Sequence, residues 1–233
     1  MKFINSIKEL IHNYDNFIID QWGVMHDGVN GFKHAIDAIE YLKSFNKNLF
    51  VISNSSKRKK SSEERLLRLG FEKDSFIKVL TSGEMIWSHL SIKYSKTYPK
   101  KKCFHIFDNT KEDGFTFRVG LNLDFIEDID DGELILACTP FKDMQPIDYS
   151  PILEKAMDKK LVMYCANPDF ETIEKNNDKN IFCMGAIAEI YKQMGGEVII
   201  QGKPEKDIYI ETTKSIKLNK DRTLAIGDSL FHD

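Results

Sequence analysis

Short apolar runs alternate along this chain with stretches whose apolar residues return every three to four positions. Asn16–Asp20 (NFIID), Asn48–Ile52 (NLFVI) and Phe76–Leu80 are the runs, the pattern of strands buried on both faces. Between them, Phe32, Ala35, Ile36, Ile39 and Leu42 fall on one stripe of a helix over Phe32–Phe45. Ser61–Leu69 reads as a second helix, capped by Ser61 or Ser62 and closed by Gly70, and Ser82–Tyr94 as a third. Strand and helix in strict alternation predict a parallel sheet with crossover helices.

The alternation breaks after Tyr98. Strands are then expected at CFHIF (103–107), Glu133–Cys138 and Leu161–Cys165, with a helix at Pro151–Asp158 and turn-rich stretches at 108–114 and 127–132. From Met184 the first rhythm resumes: helix 185–194, strand Glu197–Ile200, helix Pro204–Leu218 and strand Arg222–Ile226. The expected fold is an α/β, Rossmann-like parallel-sheet core. It is built from 1–102 and 183–233, and an α/β cap, 103–182, is inserted between the two parts.

Composition narrows the class. With 233 residues, 42% hydrophobic and 30% charged, the chain can bury a core without staples. A net charge of −3 offers nucleic acid and anionic membranes no electrostatic footprint. No apolar run approaches a membrane span, and Met1–Asn13 has charges in place of a signal-peptide core. Cys103, Cys138, Cys165 and Cys183 form no CxxC pair. They read as buried, reduced thiols of a cytoplasmic protein.

The chemistry sits at strand ends, where open parallel sheets bind ligands. The first strand delivers Asp20, followed by Gln21-Trp22-Gly23-Val24, and the second delivers Ser53-Asn54-Ser55. Gly202-Lys203-Pro204 precedes a helix, and the last strand delivers Gly227-Asp228, with Asp233 five residues on. Singly, each is an ordinary turn. Together they bring carboxylates, a lysine and a hydroxyl to one edge. Such a set can hold Mg²⁺, attack phosphorus through a carboxylate and neutralise phosphoryl oxygens.

In this order the motifs resemble the haloacid dehalogenase superfamily, and most closely its subfamily IIA, which includes nucleotide, p-nitrophenyl-phosphate and pyridoxal-phosphate phosphatases. The resemblance implies Asp20 as nucleophile, Ser53 and Lys203 as phosphoryl-binding groups, and Asn54 as a substrate neighbour. Asn167-Pro168-Asp169 resembles a cap loop facing the substrate, which implies substrate contacts for Asn167 and Asp169. Mg²⁺ is then expected on Asp20, the Trp22 carbonyl, Asp228 and Asp233. The implied activity is hydrolysis of a small phosphorylated metabolite (sugar phosphate, nucleotide or pyridoxal-phosphate type) through an aspartyl-phosphate.

Two departures stand out. The family's phosphatases carry DxD in the first motif, the second aspartate being the general acid/base. Here that position is Trp22, in a DxWGV pattern followed by His26-Asp27-Gly28. This resembles a DxWGV branch of the subfamily and opens an alternative: a phosphate-binding or regulatory protein with weak or no turnover. His26 or Asp27 could replace the missing acid or could simply shape a turn. The chain also stops at Asp233, inside the fourth motif. A truncated core, whose last strand forms an uncovered edge that favours homo-oligomers, is therefore expected.

Overall fold

A computed structural model describes residues 3–171 and 182–230. The first alternation folds as expected: β1 (Asn16–Asp20), α1 (Lys33–Ser44), β2 (Asn48–Ser53), α2 (Lys59–Arg68), β3 (Lys78–Thr81) and α3 (Ser82–Lys93). The next strand, β4 (Lys101–Ile106), opens a second sheet. It is followed by α4 (Glu112–Arg118), β5 (Leu123–Ile126), β6 (Leu134–Ala137), α5 (Ser150–Asp158), β7 (Val162–Cys165), α6 (Met184–Gln193) and β8 (Glu197–Ile200). The chain then returns through α7 (Lys206–Thr213) and β9 (Thr223–Ile226).

Every strand pair is parallel. The first sheet has the order β3-β2-β1-β9 and the second β5-β4-β6-β7-β8. β1 is wholly buried, and successive residues serve opposite faces, as strand pleating dictates. Phe17 and Ile19 join Leu49, Val51, Ile39 and Leu42 on one side. Ile18 joins Phe50, Ile52 and Ile208 on the other. The centre of the first sheet, the strand carrying Asp20, is therefore its most desolvated part.

The second unit is larger than its expected 103–182. Its strands run from Lys101 to Ile200, because β8 pairs with β7 and not with the first sheet. Helix α6 turns Met184, Ile187, Ala188 and Tyr191 onto the same cluster as β4, β6 and β7. Periodicity located α6 and β8 but carries no record of which sheet a strand joins. Two elements, α4 and β5, were read as turns or missed. Each is short and offers few buried apolar residues, Gly114 and Phe117 in α4 and Leu123 in β5. Helix α3 serves both units: Met85 packs on the first sheet's cluster, while Ile86 and Leu90 pack on the second's.

The N-terminus of α3 also sets the loop after β2. Gly83 N–H donates to the Ser55 carbonyl at 3.0 Å, and a Cβ on Gly83 would stand 2.1 Å from the Ser56 carbonyl oxygen. Gly83→Ala should therefore destabilise the fold by about 1–3 kcal/mol through overpacking against backbone. Urea unfolding measures this; an unchanged midpoint would show that the loop after β2 yields freely.

Candidate active site

Asp20 closes β1 and is buried. The parallel register pairs it with Ile52, so Ser53, also buried, ends the neighbouring strand one residue further on. On the other side Ile19 pairs with Ile226, which brings Gly227-Asp228 to the same edge. Lys203 arrives from the segment between β8 and α7. Its ammonium forms an ion pair with Asp20 Oδ1, and both side chains are at least 94% removed from solvent. The sheet thus gathers Asp20, Ser53, Lys203 and Asp228 at one edge. Asp228 is exposed, and Asp233 lies outside the described residues.

Asn54 ties three segments together. Its side-chain oxygen accepts the Lys203 backbone N–H at 2.7 Å. Its amide nitrogen donates to the Lys203 carbonyl at 3.1 Å and to Asp169 Oδ1 at 2.7 Å. The Asn167-Pro168-Asp169 loop therefore does meet the first unit beside Lys203. Asn167 acts within the loop: its side-chain oxygen accepts the Asp169 N–H at 3.2 Å, and its carbonyl accepts the Cys165 thiol at 3.2 Å. Ser53 Oγ accepts the Ser55 N–H at 3.2 Å, which turns the chain just after β2.

The segment after Asp20 contains no spare acid. The Trp22 ring is half-buried, set edge-on to His26 with centroids 4.8 Å apart and covered by the Arg65 guanidinium at 4.9 Å. His26 is completely buried. Gly28 N–H donates to its Nδ1 at 3.0 Å, which leaves Nε2 as the other ring nitrogen. That nitrogen faces the Gln21 amide at 3.1 Å, and the same amide meets Ser62 Oγ at 2.8 Å. Burial, helped by the Arg65 charge, lowers the His26 pKa to about 4. Asp27 accepts the N–H groups of Val29 and Asn30 at 2.9 and 2.7 Å, which makes it a turn residue. Neither His26 nor Asp27 is placed as the replacement proton donor.

The sequence gives Gln21 and Arg65 no role and offers Ser62 only as a helix cap. Helix α2 begins at Lys59 and not at Ser61, so Ser62 lies inside it and faces Gln21 instead of capping. In the basic run 57–60, two side chains reach other elements. Arg58 pairs with Glu84 at 2.8 Å and stacks 3.7 Å above Trp87, while Lys57 bonds Asp113 of α4. All four cysteines are buried, and none is in a disulfide. Among the described residues no three His, Cys, Asp or Glu side chains form a metal cluster. Asp20 and Asp228 remain as a two-carboxylate set on adjacent strand ends. No described helix is long and apolar enough to cross a membrane.

Two measurements test this geometry. Removing one partner of a buried ion pair strands the other charge, so Lys203→Ala should cost about 3–5 kcal/mol. Asp20→Asn/Lys203→Met, with no charge left behind, should recover part of that in urea unfolding; equal losses would mean the pair is solvated. The second concerns pH. The unfolded chain takes up a proton near 6.5 that the folded His26 refuses until about 4. Stability should therefore fall as pH drops through this window, by up to about 3 kcal/mol for this group, and the fall should shrink in His26→Gln. An identical pH slope in that variant would place His26 in water.

A family model for haloacid dehalogenase-like hydrolases matches residues 17–116. Comparison with curated protein sequences gives no match. Among solved structures, a haloacid dehalogenase-like hydrolase from Brucella suis superposes with a TM-score of 0.86 at 25% identity, covering 99% of this chain and 84% of its own. A possible sugar phosphatase from Cytophaga hutchinsonii gives 0.80 at 16% identity, covering 100% of this chain and 84% of its own. A p-nitrophenyl phosphatase from Archaeoglobus fulgidus gives 0.67 at 21%, covering 95% and 81%. The family match runs from β1 into α4, and the first of these structures shares the fold over 99% of the chain.

Proposed function

We propose that this chain is a haloacid dehalogenase-like hydrolase, a Mg²⁺-dependent phosphohydrolase of a small organophosphate of the sugar phosphate, nucleotide or pyridoxal-phosphate type, working in the cytoplasm. The observation that carries the reading is the buried Asp20–Lys203 pair at the carboxyl edge of the sheet, with Ser53 ending the adjacent strand. The printed names of the structural relatives, a possible sugar phosphatase and a p-nitrophenyl phosphatase, agree with a phosphate monoester as substrate.

In this reading the Asp20 carboxylate attacks phosphorus, the substrate oxygen leaves, and water later cleaves the aspartyl-phosphate. Lys203 and Ser53 bind the phosphoryl oxygens as their charge redistributes. Asp20, Asp228 and the Trp22 carbonyl fit Mg²⁺, which takes one or two carboxylates and keeps several waters; Asp233 would complete the shell from outside the described residues. When bound, the cation withdraws charge from the phosphoryl group. Asn54, Asn167 and Asp169 would border the substrate, with Asp169 already held by Asn54.

One observation favours a second reading, a phosphate-binding or regulatory protein with weak turnover. Trp22 occupies the general-acid position, and an indole does not titrate near neutral pH. Its ring is clamped between His26 and Arg65, while His26 and Asp27 are committed to structure. Turnover should then depend on the leaving group. Aryl and acyl phosphates, whose leaving groups need little protonation, should be hydrolysed with Mg²⁺ far faster than alkyl phosphates. Trp22→Asp should raise alkyl-phosphate turnover by about 10²–10⁴, the worth of a positioned acid. No Mg²⁺-stimulated hydrolysis of any ester would leave the binding reading. Fast wild-type turnover of a sugar phosphate, unimproved by Trp22→Asp, would remove the acid argument.

A further inference from the structure

The bonds of Asn54 carry a consequence for Lys203 that no strand-end motif states. An asparagine side chain has one carbonyl oxygen and one NH₂ group, the same pair of functions as a peptide unit. Asn54 uses them as a strand neighbour would. It accepts from the Lys203 N–H at 2.7 Å and donates to the Lys203 C=O at 3.1 Å. The second amide hydrogen goes to Asp169 Oδ1 at 2.7 Å. That acceptor comes from the second unit.

The space around the clip admits nothing else. Asn54 is buried. A Cβ on Gly202 would stand 2.5 Å from Asn54 Oδ1 and 2.9 Å from Pro168 Cγ. Only glycine lets the loop after β2, the loop before α7 and the 167–169 loop close on one point. The last of these is itself seated on α6. Gly185 N–H donates to the Asp169 carbonyl at 3.1 Å, and a Cβ on Gly185 would lie 2.0 Å from the Pro168 carbonyl oxygen. Asp169 is thus presented from a fixed backbone and does not reach out from a free loop.

We propose that Asp169 is a positioning residue. Through Asn54 it holds the backbone of Lys203, so that docking of the second unit's loop completes the alignment of the ammonium on Asp20. The carboxylate orients the Asn54 amide. The amide fixes both backbone groups of Lys203, and the side chain of Lys203 spans the remaining distance to the reacting carboxylate. When the 167–169 loop lifts away, Asn54 loses its charged acceptor and the clip on Lys203 loosens. The catalytic consequence rests on the phosphohydrolase reading; the mechanical coupling does not.

The test is amide hydrogen exchange of a peptide spanning 202–208 in the full chain, compared at matched conditions in wild type, Asp169→Ala, Asp169→Asn and Asn54→Ala. A peptide over β5, far from the junction in the sheet order, serves as the stability control. Losing one bond of ordinary strength should speed exchange at 202–208 by about fivefold. Asp169→Ala is expected to give that increase although it alters only the second unit. Asp169→Asn, whose side-chain oxygen can still accept, should stay near wild type, and Asn54→Ala should equal or exceed Asp169→Ala. Unchanged exchange at 202–208 in Asp169→Ala, with a rise in Asn54→Ala, would overturn the coupling; so would equal rises in both peptides. If p-nitrophenyl phosphate is turned over, Asp169→Ala should lower kcat with KM nearly constant, and Asn54→Ala should add little on top of it. A change confined to KM would return Asp169 to a substrate contact. Exchange needs no turnover, so failure of the phosphatase reading and failure of the coupling remain separate results.

Discussion

The buried pair of Asp20 and Lys203 is the constraint around which this molecule is arranged. Two opposite charges taken from water are tolerated only when their geometry is good and their other valences are met. The two residues are 183 positions apart in sequence, so the chain must bring them together by topology. Central placement of β1 fixes the carboxylate, because both faces and both edges of that strand are covered. The lysine has no strand to hold it; it lies in the loop between β8 and α7. The side chain of Asn54 gives that loop the two backbone bonds a strand neighbour would have given.

The segment immediately after Asp20 follows a different logic. Its polar groups face inward and are consumed there: Gln21 between Ser62 and His26, His26 between Gln21 and Gly28. Buried polar networks of this kind fix one conformation when every member is satisfied. The Arg65–Trp22 stack adds a cation–π contact from the same face of α2. The loop is therefore held to α2 by a hydrogen-bonded chain and an aromatic stack. An ionisable side chain there would have to leave this network to exchange protons with a substrate. Tryptophan at this position is consistent with a loop that supplies rigidity and backbone groups while the charge resides in Asp20 and Lys203.

Much of this was legible in the sequence, for a physical reason. A strand buried on both faces must be a continuous apolar run, so NFIID and NLFVI mark the sheet and their last residues mark its edge. Asp20 and Ser53 could accordingly be placed at one sheet edge from position and residue type. Sheet membership could not. The pattern of β8 is the same whichever sheet receives it, and only the packing of Tyr191 and Ile187 on the second cluster decides. Nor could the network of Gln21, Ser62 and Arg65 be foreseen, since each is an ordinary surface residue until α2 turns it inward. Short elements with a single buried anchor, such as α4 and β5, leave too weak a period to stand out.

The junction at Gly202 explains how two units with separate sheets can behave as one site. The first unit supplies Asp20 and the second supplies the loop at 167–169, and the lysine paired with Asp20 has its backbone held by Asn54 at their contact. A side chain on Gly202 would push apart all three segments at once, so the close approach there is a property of the pair of units and not of either alone. Docking has a second anchor in Lys57, which reaches Asp113 of α4 from the loop that carries Ser53 and Asn54. Both bridges start from the same five-residue turn between β2 and α2. That turn is thus where contacts from the second unit meet the end of β2 and the backbone of Lys203.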